Sequence, residues 1–335
     1  MSSIYVLLLS LILIQIVLLI YVTGQGIYKY FLMPELPLLD RYGAGSWVVI
    51  TGASSGQGYE LALAFAHRGF NICMLGSKRT DATQALIKAK YPLVKTRVLH
   101  KDFRQAFQDD FFADIQAVFQ EIGADLAILV NNVGHRVGWQ PYHTMPHNYI
   151  KDVIATGTIV QSRLTQMVIP YFLQRASGAG ASGAAEKKSA LINITAPCMH
   201  PNFLFGLTMD NEISVPYLSV YEAANAFGFY HGNSIYKEYQ GQFDILNITP
   251  GAVITSNTAC LTDTLFNVTS DVFVAQIMKM IGNVQGHTCA YWGHALSNYL
   301  INLAPPLKDA MLKKVGETLA ADFMEKREVT KYDLS

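Results

Sequence analysis

The pattern of apolar and polar positions divides the chain into one long apolar start and a remainder in which short apolar runs alternate with helical periodicity. Residues 1–28 carry no charged side chain, and residues 4–22 are almost entirely Leu, Ile, Val and Tyr. That run is long enough to cross a bilayer as a helix. It lacks the basic start, shorter apolar core and small-residue cleavage site of a secretory signal, so an uncleaved anchor is expected. The first cations, Lys29 and Arg41, follow it, which places the remainder of the chain in the cytosol, or in the matrix if the membrane is mitochondrial. Pro34, Pro37 and Gly43 mark residues 29–45 as a linker.

From residue 46 the apolar runs are short and rich in β-branched residues. They fall at 47–50, 71–75, 96–99, 126–130, 190–194 and 243–248 and read as buried strands. Between them the spacing predicts helices from residue 59, over 80–90, 111–122, about 145–175, and 217–240. Strands alternating with helices imply an α/β fold, a Rossmann-type doubly wound parallel sheet with helices on both faces. One N-terminal transmembrane helix precedes it. The division is an anchor at 1–28, the linker, a core at 46–262, and an extension at 263–335 that packs on the core or dips into the membrane surface. Residues 176–189 read as a flexible loop, and 326–335 as a solvated tail.

Composition removes some functions. The formal net charge is zero and charged residues are 15% of the chain, with no basic block for nucleic acid. Cys73, Cys198, Cys260 and Cys289 show no metal or redox spacing and read as buried thiols in a reducing compartment. Asn193, Asn247 and Asn267 begin glycosylation sequons; the first two lie in predicted core strands and read as chance matches.

The chemistry gathers where strands end. After the first strand comes Thr51-Gly-Ala-Ser-Ser-Gly-Gln-Gly58, a glycine-rich turn leading into a helix. This geometry presents free backbone N–H groups and the positive end of a helix dipole to an anion, and Gly52, Gly56 and Gly58 let a phosphate approach the backbone. Asn131-Asn-Val-Gly134 follows the fourth strand and Pro250-Gly251 the sixth. In a parallel sheet all three turns share the edge where ligands bind.

These turns, with Tyr221 on the helix after the fifth strand, resemble the short-chain dehydrogenase/reductases. Leu129-Val-Asn-Asn-Val-Gly, Thr165-Gln-Met-Val-Ile-Pro, Leu191-Ile-Asn-Ile and His294-Ala-Leu make the chain most similar to the membrane-anchored branch of β-hydroxysteroid dehydrogenases and very-long-chain 3-oxoacyl-CoA reductases. The resemblance implies a nicotinamide cofactor held by Gly52, Ser54, Gly56 and Gly58 at the pyrophosphate and adenine ribose. Ser77, Lys78 and Arg79 would stand at the ribose, Asp102 at the adenine, and Asn131, Gly134, Pro250, Gly251 and Thr255 along the nicotinamide side. No carboxylate stands beside Lys78 and Arg79 to hold a ribose 2′-hydroxyl. The pair either meets a 2′-phosphate, favouring NADP(H), or is solvated; NAD(H) and no cofactor stay open. Gln57 replaces an aliphatic residue of the family.

The resemblance also implies four catalytic groups: a Tyr proton donor, a Lys one helical turn later, a Ser that orients the carbonyl and an Asn that holds a relay water. Tyr221 matches the first, whereas Asn225, Ala196 and Gly157 occupy the other three positions. A phenol near pKa 10 is a poor acid–base group at neutral pH without a fixed cation, and Lys237 lies about 24 Å farther along the helix. Thr195 should point away from the site, because strand side chains alternate. Residues 197–216, with His200, Thr208, Asp210, Asn211 and Glu212, form an insertion over the mouth of the site. The expectation is a catalytically impaired, membrane-anchored NADP(H)-binding protein serving as a structural or accessory subunit of a larger membrane complex. The alternative is an active NADPH-dependent reductase of a 3-oxoacyl-CoA or keto-steroid using Tyr221. A third reading is a lipid-binding module that uses the apolar substrate cleft without a cofactor, and a lipid or acyl-CoA is the expected ligand. The branch implies the endoplasmic reticulum, with the mitochondrial inner membrane as alternative.

Overall fold

The computed structural model describes residues 2–135, 138–178, 187–196, 203–204, 207–208, 214–255, 258, 262–302 and 305–330. Seven strands form one sheet: β1 (Trp47–Thr51), β2 (Asn71–Gly76), β3 (Thr96–His100), β4 (Leu126–Asn131), β5 (Ala190–Ile194), β6 (Asp244–Ile248) and β7 (Gly286–Thr288). Their order is β7-β6-β5-β4-β1-β2-β3, and each neighbouring pair is parallel. Six of the seven follow the expected runs. The edge strand β7 escapes the pattern because Gly-His-Thr has no apolar signature.

Alternation along each strand builds two apolar layers. In β1, Val48 and Ile50 face one layer and Val49 the other. The first layer is covered by α3 (Gly56–His67) through Leu61 and Phe65, and by α9 (Ser270–Met280) through Phe273 and Ile277. The second is covered by α5 (Ala113–Ile122) through Ile115 and Phe119, and by α7 (Val160–Ala176) through Leu164, Val168 and Phe172. All these side chains are buried, at about 1.5–3 kcal/mol each. α3 stops where Gly69 takes φ +88°, a left-handed conformation glycine adopts without strain. The predicted helix at 145–175 is α6 (His147–Ile154) running through a π-helical turn, Ala155–Ile159, into α7. α4 (Thr80–Lys90) and α8 (Ser219–Glu238) fall where the periodicity put them.

The N-terminus is α1 (Ser2–Ile27). With the turn that follows, it forms a candidate membrane span over Ile4–Leu32, whose 18-residue apolar stretch has mean hydropathy 2.8 and is not buried against the rest of the chain. Within the expected linker, residues 33–42 are a strap docked along the core. Met33, Leu38 and Tyr42 are buried in the first layer, the last two in α2 (Leu38–Tyr42). Arg41 Nε pairs with Asp244 Oδ2 at 2.6 Å, and the Tyr42 hydroxyl donates to the same oxygen at 2.6 Å. Buried Arg175 donates to Tyr42 O and Ala124 O. Prolines in this stretch shape a path rather than a loose joint.

The C-terminal region also differs from expectation. After β7 come α10 (Trp292–Asn302) and α11 (Pro305–Thr330), so residues 326–330 are helical and only 331–335 of the expected tail lie outside the described residues. The inward stripe of α11 is Lys308, Leu312, Gly316 and Ala320, too mixed to show an apolar period. Most of the 197–216 insertion, with His200, Asp210, Asn211 and Glu212, lies outside the described residues, as do Cys198 and Cys260. Within it, residues 203–204 pair antiparallel with 207–208. Burial pushes the Cys73 thiol up to about 12, whereas Cys289 is only half-buried.

Candidate functional site

The three turns meet at the carboxyl edge of the sheet because one hydroxyl ties two of them together. Thr51 Oγ1 accepts the backbone N–H of Asn132 at 2.9 Å and of Val133 at 3.0 Å, while Asn132 Nδ2 donates to Thr51 O at 2.9 Å. Gly52 and Gly56 take φ +72° and +57°. A Cβ on Gly58 would lie 2.4 Å from Gly52 O and 2.5 Å from Asn132 Nδ2, so this glycine lets α3 pack on the turn and does not itself reach the cleft. The Pro250–Gly251 turn folds over the same place, since a Cβ on Gly56 would meet Thr255 Cγ2 at 3.1 Å. Behind it His294 is fully buried, and a Cβ on Gly251 would meet its Cδ2 at 2.6 Å. Loss of water pushes the His294 imidazole down to about 4, so it is neutral at physiological pH and its Nε2 donates to Ala252 O at 3.2 Å.

Together these turns line one cleft of about 1310 Å³. Of the residues assigned to the site, Gly52, Ser54, Gly56, Ser77, Lys78, Arg79, Asp102, Gly134, Gly157, Ala196, Tyr221, Asn225, Pro250, Gly251 and Thr255 line it. Asn131 sits behind the wall. Its Nδ2 donates to Asn193 Oδ1 at 2.9 Å, and Asn193 Nδ2 to Asn247 Oδ1 at 2.8 Å. This amide ladder crosses three strands in register, and it explains why the first two sequons are core positions.

The dinucleotide half fits a nicotinamide cofactor. Ser55 caps α3 without a side-chain hydrogen bond, leaving the amino end of the helix to a ligand. Gln57 Oε1 is buried at the cleft without a hydrogen-bond partner. Lys78 and Arg79 are exposed at the end of β2. Asp102 is engaged by Arg104, whose Nη2 donates to its Oδ2 at 2.7 Å; that guanidinium holds the Asp102 carboxyl below its ordinary range.

The expected catalytic positions lie on α8, in the π-helical turn and just beyond β5. Tyr221 and Asn225 lie one turn apart on α8, both half-buried. Asn225 Nδ2 donates back to Tyr221 O at 2.8 Å, so it braces its own helix. Gly157 lies in the π-helical turn, where a Cβ would stand 3.0 Å from Ala224 Cβ. The glycine lets the two helices pack closely there. Thr195, expected to point away, also lines the cleft, with its hydroxyl donating to Ile248 O at 3.2 Å. Glu222 accepts Val215 N at 2.8 Å, pinning the end of the insertion.

Sequence reasoning missed the apolar lining. Trp139, Val153, Val215, Leu218, Val315 and Leu319 line the other half of the cleft, and the last two come from α11. Gln161 also lines it, buried one turn beyond Gly157. Only tertiary packing brings these residues together.

The profile of the short chain dehydrogenase family matches residues 46–182. A very-long-chain 3-oxoacyl-CoA reductase of Emericella nidulans is 29% identical over 285 residues, covering 81% of this chain and 73% of the relative. One from Macaca fascicularis is 27% identical over 269 residues, 78% of this chain and 77% of the relative. A short-chain dehydrogenase from Sphingobium yanoikuyae, solved in complex with NADPH, superposes with TM-score 0.58 at 23% identity, over 72% of this chain and 87% of that one. In sequence and in fold the chain is similar to the short-chain dehydrogenase/reductases. A solved 7beta-hydroxysteroid dehydrogenase superposes with TM-score 0.63 at 18% identity, over 79% of this chain and 93% of that one, and supports the same fold. The glycine turn and Tyr221, the positions expected from that resemblance, both line the cleft.

Proposed function

We propose that the protein is a membrane-anchored, NADP(H)-dependent reductase of a long 3-oxoacyl-CoA or a keto-steroid, with Tyr221 as proton donor. The observation that carries this reading is a single cleft joining the glycine turn, Tyr221 and an apolar half. The names and coverage of the relatives support the same chemistry. When bound, the cofactor supplies the hydride. This chain's residues do the rest: the turn at Gly52 and Gly56 and the amino end of α3 hold the pyrophosphate, and Lys78 and Arg79 take the 2′-phosphate. Tyr221 gives its phenolic proton to the carbonyl oxygen, and the apolar half receives the acyl chain or ring system and excludes water. The endoplasmic reticulum membrane is the proposed compartment.

A second reading is favoured by one specific observation. Asn225, Ala196 and Gly157 stand where a cation, a hydroxyl and an amide would assist Tyr221, and Asn225 and Gly157 are committed to packing. On that reading the protein binds cofactor but acts as an accessory subunit of a membrane complex. Steady-state oxidation of NADPH by the full chain in detergent, with a long 3-oxoacyl-CoA and a keto-steroid, separates the two. Turnover that falls about 10²–10⁴-fold in Tyr221→Phe supports the reductase. NADPH binding without turnover on either substrate supports the accessory role.

A further inference from the structure

The base of the anchor lies at the same edge of the sheet as the cleft. Phe31 packs against Trp292 with ring centroids 5.9 Å apart, and Trp292 opens α10 just beyond the carboxyl end of β7. From there the strap descends to the opposite edge, where Tyr42 meets Asp244 at the start of β6. The anchor therefore leaves the core beside the cofactor and substrate turns.

Two helices next to that exit present apolar side chains outward. On α10 these are Leu296, Tyr299 and Leu300, spaced i, i+3, i+4; on α11 they are Leu307, Met311 and Val315, spaced i, i+4, i+8. Each triplet makes one stripe on its helix. Leu307 is 71% exposed and Leu300 47%. The inward stripes of both helices are already packed, with His294 and Asn298 buried on α10 and Leu312 and Ala320 on α11, so the outer stripes have no role in the core. Patches of this kind mark an interaction surface. Phe31 and Leu32 at the foot of the span continue the surface, and Trp292 and Tyr299 are the residue types that settle at a membrane–water interface. Around the stripe on α11, exposed Lys313 and Lys314 are matched by exposed Asp309 and Glu317, so the rim selects no strongly charged partner.

We infer that the outward faces of α10 and of the first turns of α11 rest in the bilayer surface beside the anchor, so that the cleft opens onto lipid. Val315 joins the two features, being exposed on the stripe and part of the cleft lining. An amphiphile with its chain in the bilayer reaches the apolar half by passing α11 without crossing water. The inference rests on reading α1 as a membrane span, and not on which reaction the cleft supports.

The test uses the full chain in phosphatidylcholine vesicles, with benzoylphenylalanine replacing Leu300 or Met311. A third variant carries the probe at Leu93, which is 96% exposed in the loop before β3 at the opposite edge. A fourth carries it at Leu19 within α1. After flotation and irradiation, mass spectrometry of the tryptic peptides should show phosphatidylcholine adducts at 19, 300 and 311 and none at 93. Adducts at 19 with none at 300 and 311 overturn the docking while leaving the anchor. Adducts at 300 or 311 to a second protein chain instead of lipid assign the face to a protein interface and overturn it as well. A chain that does not float with the vesicles overturns the anchor and the docking together.

Discussion

At Tyr221 the phenol lines the cleft, and the residue one helical turn on is Asn225 rather than a cation. A positioned acid works best when its pKa is tuned toward the working pH, and a fixed cation one turn along the helix is the direct way to do so. Asn225 instead donates to the carbonyl of Tyr221. The position still faces the cleft, so a longer cationic side chain has space to enter. Asn225→Lys with Ala196→Ser is expected to raise kcat on a 3-oxoacyl-CoA by about ten- to a hundred-fold and to move the acid–base profile toward neutral pH. Steady-state rates across pH check it. Adding Gly157→Asn should not improve the enzyme, because the new Cβ meets Ala224. Overpacking of this kind costs about 1–3 kcal/mol, seen as a lower denaturation midpoint that Ala224→Gly restores.

At the scale of elements, the Pro-Gly turn and the helix behind it share one titrating group. His294 is buried and neutral, with its pKa held at about 4 against about 6.5 in an unfolded chain. The unfolded state therefore binds the extra proton first as pH falls. Stability is full above about pH 6.5, declines below it, and levels off near pH 4. The loss across that window is about 3 kcal/mol. Thermal melts from pH 7.5 to 4 should show this acid limb, and His294→Gln should flatten it. Elements also show how much was legible beforehand. Six strands and the main helices were readable because each is an apolar run or stripe, most of them ended by Gly, Pro or Asn. The strap was not, because Met33, Leu38 and Tyr42 are widely spaced among prolines and their partners Asp244 and Arg175 are distant in sequence. α11 was hidden by a buried stripe that includes Lys308 and Gly316. The glycine, Asn-Asn and Pro-Gly turns were legible as local signals, whereas the brace from Asn225 and the packing of Gly157 on Ala224 depend on how two helices meet.

At the scale of the whole molecule, one edge of the sheet carries the foot of the apolar helix α1, the three turns and the cleft mouth. On the proposed reading, the basic pair at the end of β2 meets the 2′-phosphate of NADP(H). Replacing both Lys78 and Arg79 with Ala is expected to weaken NADPH binding tenfold or more, since charge-assisted hydrogen bonds to phosphate contribute about 1.5–3 kcal/mol. NADH binding should change little. Fluorescence titration of the two cofactors against the full chain reads this directly. The central claim is that hydride leaves the cofactor in this cleft and Tyr221 completes the reduction. The most direct measurement is a single-turnover reaction of the full chain with NADPH carrying deuterium at the transferable position and a long 3-oxoacyl-CoA, with the product weighed by mass spectrometry. A 3-hydroxyacyl product one mass unit heavier than its unlabelled counterpart, absent in Tyr221→Phe, is the predicted result. Saturating NADPH binding with no labelled product, or the same labelled yield after Tyr221→Phe, would contradict it.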